Sequence, residues 1–350
     1  MNARMSDWLC LCLGNAVPNA ARILMKKRSR IQMQQPEDNP ESISEMIRSD
    51  YGQTIRQQWV DAFRLLRIPF SVFLMPVFWF ALSQTQQLDL WRATGIFLIL
   101  HVLVYPASNG YNSWFDRDED SIGGLEKPPQ VNPKLFTLVV LFDLLALFFS
   151  LVLGWVFLVG IALYLMVSKA YSWDRIRLKK YPLLSTLVVT FFQGAWVYWS
   201  VRAGLEPGNS LEWVWGGPQS LLGLVSSLFL LGAYPLTQVY QHQEDKQRGD
   251  RTLSLVLGVR GTFVFTALVF PFAVGALAWG LLLAGRPENL PVFVGATMPV
   301  VGYFGWWGLQ VARTPEQANY RNAMRMNLLS SLCLSLGFVL MLLQNQTWPD

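Results

Sequence analysis

The chain of 350 residues is 52% hydrophobic and only 15% charged, whereas an ordinary water-soluble domain carries about 25% charged residues, so a conventional solvent-facing surface is excluded. Three cysteines (Cys10, Cys12, Cys333) and two histidines (His101, His242) are too few and too scattered for a disulfide framework, a zinc site or an imidazole-based metal centre. The formal net charge of +5 is modest, points to no nucleic-acid partner, and is informative through its distribution.

Residues 1–55 read as a polar, disordered N-terminal extension, with the basic run Met25 to Arg30 and a Pro/Glu/Asn stretch from Gln35 to Glu41. The apolar patch Trp8 to Gly14 precedes its basic cluster, the reverse of a signal peptide. A short interfacial anchor is the alternative, since Trp, Leu and Lys/Arg together favour the headgroup zone. Residues 56–350 read as an all-α integral membrane domain. Apolar stretches near 65–84, 92–112, 135–151, 154–171, 183–202, 219–241, 262–284, 291–311 and 326–343 suit nine transmembrane helices. Leu135 to Ser168 is nearly continuous apolar sequence. As one helix it would measure about 50 Å against a hydrocarbon core of about 30 Å, which predicts two helices with a turn near Leu153-Gly154.

Charge placement agrees. With the N-terminus cytoplasmic, all but four of the 28 Lys and Arg fall in inner segments. The exceptions are Arg67, inside the first span, and Arg92, Arg202 and Arg286 in outer loops. The positive-inside rule therefore places the N-terminus and both acidic motifs described next in the cytoplasm, and the C-terminus on the opposite side.

The stretch Asn112-Ser-Trp-Phe-Asp116-Arg-Asp-Glu-Asp120 ends the second span. Asn112, Asp116 and Asp120 stand four residues apart and would share one face of a continuing helix. The stretch Gln241-His-Gln-Glu-Asp245 ends the sixth. An offset of 129 carries Asn112 to Gln241, Asp116 to Asp245 and Arg117 to Lys246, a weak internal repeat. Carboxylate and amide oxygens in this arrangement suit Mg²⁺, which takes one or two carboxylates together with phosphate oxygens and water. Basic residues lie beside them: Lys127, Lys246, Arg251, and Arg175, Arg177, Lys179 and Lys180 in the loop after span four. Cations of both kinds around one site imply a polyanion. A single pair of this kind is usually a solvated rim. Two at equivalent depth, each trailed by Gly and basic residues, argue for a site.

The first ridge resembles the NxxxDxxxD signature of the UbiA-type intramembrane prenyltransferase superfamily. Asp245-Lys-x-x-Gly249-x-Arg251-Thr252-Leu253 is similar to that family's second acidic motif, and Tyr171-Ser-x-x-Arg-x-Arg177-Leu-Lys179-Lys180 to its basic loop between helices four and five. The likeness spans about Leu65 to Leu343. It implies a nine-helix bundle around a central cavity, in which a polyprenyl diphosphate is bound through Mg²⁺ and its prenyl group passed to a lipophilic, often aromatic, acceptor. On that likeness Asp116 and Asp245 are catalytic. Asn112, Asp116, Asp120, Gln241 and Asp245 hold metal, and Lys127, Arg177, Lys179, Lys246 and Arg251 bind diphosphate. Two positions depart from the family pattern. Gln241 stands where an acid is usual, and Ser113 where an Asp often follows the Asn. Glu244, one residue before Asp245, lies about 100° from it on a helix.

The allylic cation calls for aromatic walls, for which Trp196, Tyr198, Trp199, Tyr105 and Tyr111 are candidates. Asp143, inside span three, is expected to make either a helix–helix hydrogen bond or an acceptor contact. His101 reads as a packing residue, with donation to an acceptor hydroxyl as the alternative; His242 reads as solvated; and Arg67 either snorkels to the interface or reaches the diphosphate. Competing functions are a multi-pass transporter, a non-catalytic lipid- or quinone-binding relative, and a CDP-alcohol phosphotransferase, whose Asp-Gly-x-x-Ala-Arg signature is absent.

Overall fold

Long apolar runs leave a chain no way to satisfy its backbone in lipid except by helices, and helices are what this sequence forms. The structure is a computed structural model that describes residues 54–206 and 217–346. Among these residues nine helices are long and apolar enough to cross a membrane. They are α1 (Thr54–Ser83), α2 (Leu90–Asp116), α3 (Pro133–Leu153), α4 (Trp155–Ser172), α5 (Pro182–Leu205), α6 (Pro218–Gln238), α7 (Leu253–Leu283), α8 (Asn289–Arg313) and α9 (Tyr320–Asn345). The chain divides into units 1–57 and 58–350, and the description below concerns the second. The reading of residues 1–55 as an extension falls almost wholly outside the described residues.

The two-helix expectation for the third and fourth spans holds. Gly154 joins α3 to α4 at φ 131° and ψ 154°, a conformation that a side chain would oppose. Two helices begin earlier than expected: α1 starts at Thr54 rather than near 65, and α7 at Leu253 rather than near 262, although Gly258 (φ 68°, ψ 170°) breaks α7 into a short first piece and the long span. In α1 the added turns carry polar Gln57, Gln58 and Asp61, so the edge of the apolar run does not mark the helix end. In α7 the added piece, Leu253 to Leu257, is largely apolar and is set off from the long span by Gly258.

Consecutive helices pack as neighbours, and α9 closes against α1 to complete the bundle. Outward faces carry Leu144, Leu151, Leu268 and Phe272, all strongly exposed, as befits helices that are apolar all round. Inside, packing differs between the two ends. At the end holding the N-terminus of α2, Phe78, Phe80, Tyr198, Leu222, Leu277, Phe293 and Phe338 form one continuous core. Phe80 stacks on Phe338 there at 4.7 Å between ring centroids. At the other end the core splits. One cluster gathers Leu65, Leu66, Ala107 and Leu135; a separate one gathers Leu236, Phe263, Trp307 and Met326. Between them lies a polar cavity.

Three irregularities shape its surroundings. Arg67 adopts a left-handed conformation (φ 50°, ψ 44°) that breaks α1 just before Ile68-Pro69, and a tighter helical stretch follows from Ile68 to Leu74. Wide π-helical turns occupy Ile99–Val104 in α2 and Phe192–Trp196 in α5, a feature that recurs at functional sites.

Candidate active site

The first wall of the cavity is the last turn of α2, which carries Asn112 and Asp116. The helix stops at Asp116 because Arg117 turns left-handed (φ 50°, ψ 45°) while its N–H still reaches the Ser113 carbonyl at 3.0 Å. The Ser172 hydroxyl, at the end of α4, donates to Asn112 Oδ1 at 2.8 Å and fixes the amide's orientation.

The second wall is the short helix His242–Arg248, which Gln241 caps and Gly249 ends in a left-handed turn. Its first turn presents Glu244 and Asp245. Thr252 holds Asp245 in place, its hydroxyl donating to Oδ2 at 3.1 Å. The Gln241 carbonyl accepts from Asp245 N at 2.9 Å. Burial is the main cause pushing the Asp245 carboxyl up to about 6; neighbouring Asp250 adds to the rise, while Thr252, Lys179 and Arg248 oppose it. Glu244 is also raised, first by burial and then by the facing Asp118.

The loop between α4 and α5 supplies the cations. Arg177 forks onto Asp250 with Nε and Nη2 each 3.0 Å from a carboxylate oxygen, while Nη1 donates to Asp174 at 2.8 Å. Lys179 reaches across to form an ion pair with Asp116 and lies 3.3 Å from Asp250. Arg248 pairs with Asp118 and, at 2.8 Å, with Glu244. Burial works to raise Asp250, but the Arg177 fork and Lys179 outweigh it and hold that carboxyl below the ordinary range.

These groups converge on a cavity of about 190 Å³ lined by Asn112, Asp116, Asp118, Gln241, Glu244, Asp245 and Asp250 together with Arg67, Lys179 and Arg248. Five carboxylates face three cations there, so the wall carries an excess of acid that a divalent cation would balance. Arg67 is anchored by its guanidinium to the Gly123 and Asn109 carbonyls at 3.2 and 3.3 Å. A second cavity of about 170 Å³ adjoins the first through Arg67, Asn112, Tyr171 and Tyr234. Its remaining wall mixes apolar Val167, Val188, Val189 and Phe192 with Ser108, Asn109, Tyr164, Ser168, Ser172 and Gln193. The Tyr171 and Tyr234 hydroxyls share a hydrogen bond of 2.8 Å at the junction.

Residues 73–332 match the UbiA prenyltransferase family. The chain belongs to that family. It is accordingly an integral, multi-pass membrane protein. Among solved structures, an apo UbiA homolog from Aeropyrum pernix K1 is similar with a TM-score of 0.62 and 17% identity, covering 78% of this chain and 98% of that one. A UbiA homolog from Archaeoglobus fulgidus bound to GPP and Mg²⁺ gives a TM-score of 0.59 at 17% identity, over 80% of this chain and 99% of that one. A structure described for digeranylgeranylglyceryl phosphate synthase gives 0.53 at 16% identity, over 82% and 99% of the two chains. At such identities the likeness is one of fold. No curated protein matches the chain.

Of the residues expected to hold metal, Asn112, Asp116, Gln241 and Asp245 stand on the cavity wall. Asp120 does not: it is exposed and off the wall. The expected ridge assumed a helix running through residue 120, and the left-handed Arg117 ends it four residues earlier; Asp118 turns inward instead. Of the expected diphosphate-binding residues, Lys179 lines the cavity and Arg177 lies just behind, 3.9 Å from Asp116. Lys127, Lys246 and Arg251 are exposed and off the wall. The cations facing the cavity besides Lys179 are Arg67, for which snorkelling and a diphosphate contact were the two expectations, and Arg248, for which there was none. Glu244 also lines it, because the short helix is detached from α6 and rotates that side chain inward. A usable signal was present for Arg248, which follows Glu244 at i+4 and so shares its face.

The aromatic candidates fare differently. Tyr105, Tyr111, Trp196, Tyr198 and Trp199 line neither cavity; Phe70, Tyr171, Tyr234 and Tyr240 line the first. Asp143 forms an ion pair with Lys169 of α4 at 2.9 Å, and Lys169 sits 4.9 Å above the Tyr111 ring. His101 packs among Phe78, Phe97 and Tyr105 with its Nδ1 3.2 Å from the Ser71 carbonyl. His242 bonds Ser254 at 2.8 Å.

Proposed function

We propose that the protein catalyses Mg²⁺-dependent transfer of a prenyl group from a polyprenyl diphosphate to a lipophilic, aromatic acceptor within the membrane. One observation carries the reading: Asp116 and Asp245, separated by four helices in sequence, share the wall of one cavity with the amides of Asn112, Gln238 and Gln241 and with three cations. The A. fulgidus homolog bound to GPP and Mg²⁺ offers the matching ligand chemistry.

The donor set suits a hard cation. Among the described residues no three His, Cys, Asp or Glu side chains stand close enough to cage an ion by themselves. Mg²⁺ needs no such cage, since one or two carboxylates with phosphate oxygens and water suffice. Asp116 and Asp245, with Asn112 and Gln241 as neutral donors, would hold it, and when bound it supplies positive charge for the departing diphosphate. Lys179 and Arg248, now paired with Asp116 and Asp118, can turn their N–H donors to phosphate oxygens as negative charge builds on the leaving group. Asp250 acts as a positioning residue that holds the Arg177 fork beside Lys179. The adjoining cavity, where Val167, Val188, Val189 and Phe192 supply the apolar part of a mixed wall, is the space for the prenyl chain. We assign this end of the bundle to the cytoplasmic side, following the charge bias.

Asp116→Ala should abolish diphosphate release from a prenyl diphosphate while the protein still inserts and purifies as a folded species. Undiminished release by a properly inserted variant would reject the assignment.

A further inference from the structure

The basic residues that break the charge bias have a common destination. Arg92, Arg202 and Arg286 are the Lys/Arg residues of the expected outer loops, and all three meet at the end of the bundle opposite the acidic cavity. That end is opposite because α2 runs from Leu90 to Asp116, about 40 Å at helical rise, with Asp116 in the acidic cavity and its cap Asp89 here. A cavity of about 800 Å³ opens at this end, and Arg202 and Arg286 line it together with Gln84, Gln87, Gln219 and Glu206.

The charges are unequally satisfied. Asp89 also lines the cavity, but it caps α2 by accepting from Arg92 N at 3.1 Å and pairs with the Arg92 side chain at 3.6 Å. Arg92 is further occupied by the Leu153 and Gly204 carbonyls at 2.9 and 3.0 Å, so this pair is structural. Glu206 takes the Nη2 of Arg202. The other two nitrogens of Arg202, Nε and Nη1, have no hydrogen-bond partner among the described residues although the residue is only 6% exposed. Arg286 spends one nitrogen on the Ser83 carbonyl at 3.2 Å and, among the described residues, has no carboxylate within ion-pair distance, although Glu288 is near enough to favour its charge. Burial, and then the Arg202 charge, depress its basicity, as expected for two guanidinium groups on the wall of one cavity. A guanidinium offers five donors and no acceptor, and leaving such donors unpaired in a buried setting is costly.

We infer that this cavity binds a phosphate-type oxyanion between Arg202 and Arg286, with the surrounding glutamine amides as secondary donors. The planar donor forks of arginine match phosphate oxygens in pairs, and an anion would relieve the mutual repulsion of the two side chains. At a membrane edge the ligand is either the headgroup of an anionic phospholipid or a soluble phosphate.

The full-length protein should be melted in detergent across a series of inorganic phosphate concentrations at constant ionic strength, with chloride as the balancing anion. In parallel it should be reconstituted in nanodiscs containing phosphatidylglycerol or only phosphatidylcholine, and its retained lipid measured by native mass spectrometry. The expected result is a saturable rise in melting temperature with phosphate, selective retention of phosphatidylglycerol, or both. Arg286→Gln should weaken that response by about tenfold or more in affinity. Lys179→Gln, which alters only the acidic cavity, should preserve it. Phosphate stabilisation without lipid selectivity would assign a soluble ligand, and the converse a lipid headgroup. Arg202→Gln should act like Arg286→Gln; should burial prevent that variant from folding, the half-exposed Arg286 variant decides alone. The inference is overturned by a wild-type protein that responds to neither probe, by an unchanged response in Arg286→Gln, or by a response lost only in Lys179→Gln.

Discussion

Asp116 and Asp245 were legible from the chain because each follows an amide donor by four residues, one helical turn, at the end of an apolar run. What the residue pattern did not disclose is where each helix stops. A left-handed Arg117 moves Asp120 off the wall and brings Asp118 in, and no local signal distinguishes Arg117 from other arginines at helix ends. The basic residues show the same limit. Lys246 adjoins Asp245 in sequence and faces outward, whereas Arg248, one turn after Glu244, faces the cavity. A paired comparison tests this placement. Arg248→Gln should reduce prenyl transfer by about 10- to 100-fold, the worth of a charge-assisted contact to the leaving group. Lys246→Gln should leave turnover within about twofold, as expected of an exposed charge. Steady-state kinetics with one prenyl diphosphate would check both, and equal losses in the two variants would contradict the geometry.

At the scale of elements, the length of an apolar run against the thickness of a bilayer sufficed to divide α3 from α4, and Gly154 stands at the turn. The break at Arg67 and the wide turns in α2 and α5 left no such mark, since they arise from packing between helices rather than from composition along one. The wide turn of α5 depends on a close approach. A side chain on Gly194 would begin 2.6 Å from the Ser227 backbone of α6, which permits no adjustment short of moving a helix. Small residues at such contacts let membrane helices meet backbone to backbone. Gly194→Val should therefore destabilise the bundle by about 1–3 kcal/mol or more, read as a lowered melting temperature in detergent. The wall shared by Val188, Phe192 and Gln193 lies on the same helix, so turnover should fall as well. A variant as stable as the parent would show that α5 and α6 have room to part.

For the whole molecule, the chain's charge bias and its nine runs predicted the number of helices among the described residues, and the family likeness implied a central cavity. The offset linking Asn112–Asp116 to Gln241–Asp245 has a spatial counterpart, since both pairs face one cavity. Their scaffolds differ, however: one pair ends a long helix and the other begins a short detached one. Closure of α9 on α1, and the split of the core at one end only, follow from contacts between distant segments that no pattern along the chain encodes. Sidedness can be tested in a cysteine-free background with a membrane-impermeant maleimide on intact cells. Glu288→Cys should label directly and Arg251→Cys only after permeabilisation; the reverse pattern would invert the proposed orientation.

Convergence of the two acidic segments on a single bound diphosphate is best tested by the Mg²⁺-dependent affinity of a non-ionising prenyl thiolodiphosphate, measured calorimetrically for the parent, Asp116→Asn, Asp245→Asn and the double variant. Two carboxylates serving one metal–diphosphate unit act together, so each single change should cost nearly as much affinity as both. Losses that simply add, or tight Mg²⁺-dependent binding that survives in the double variant, would mean that the two segments do not share a site.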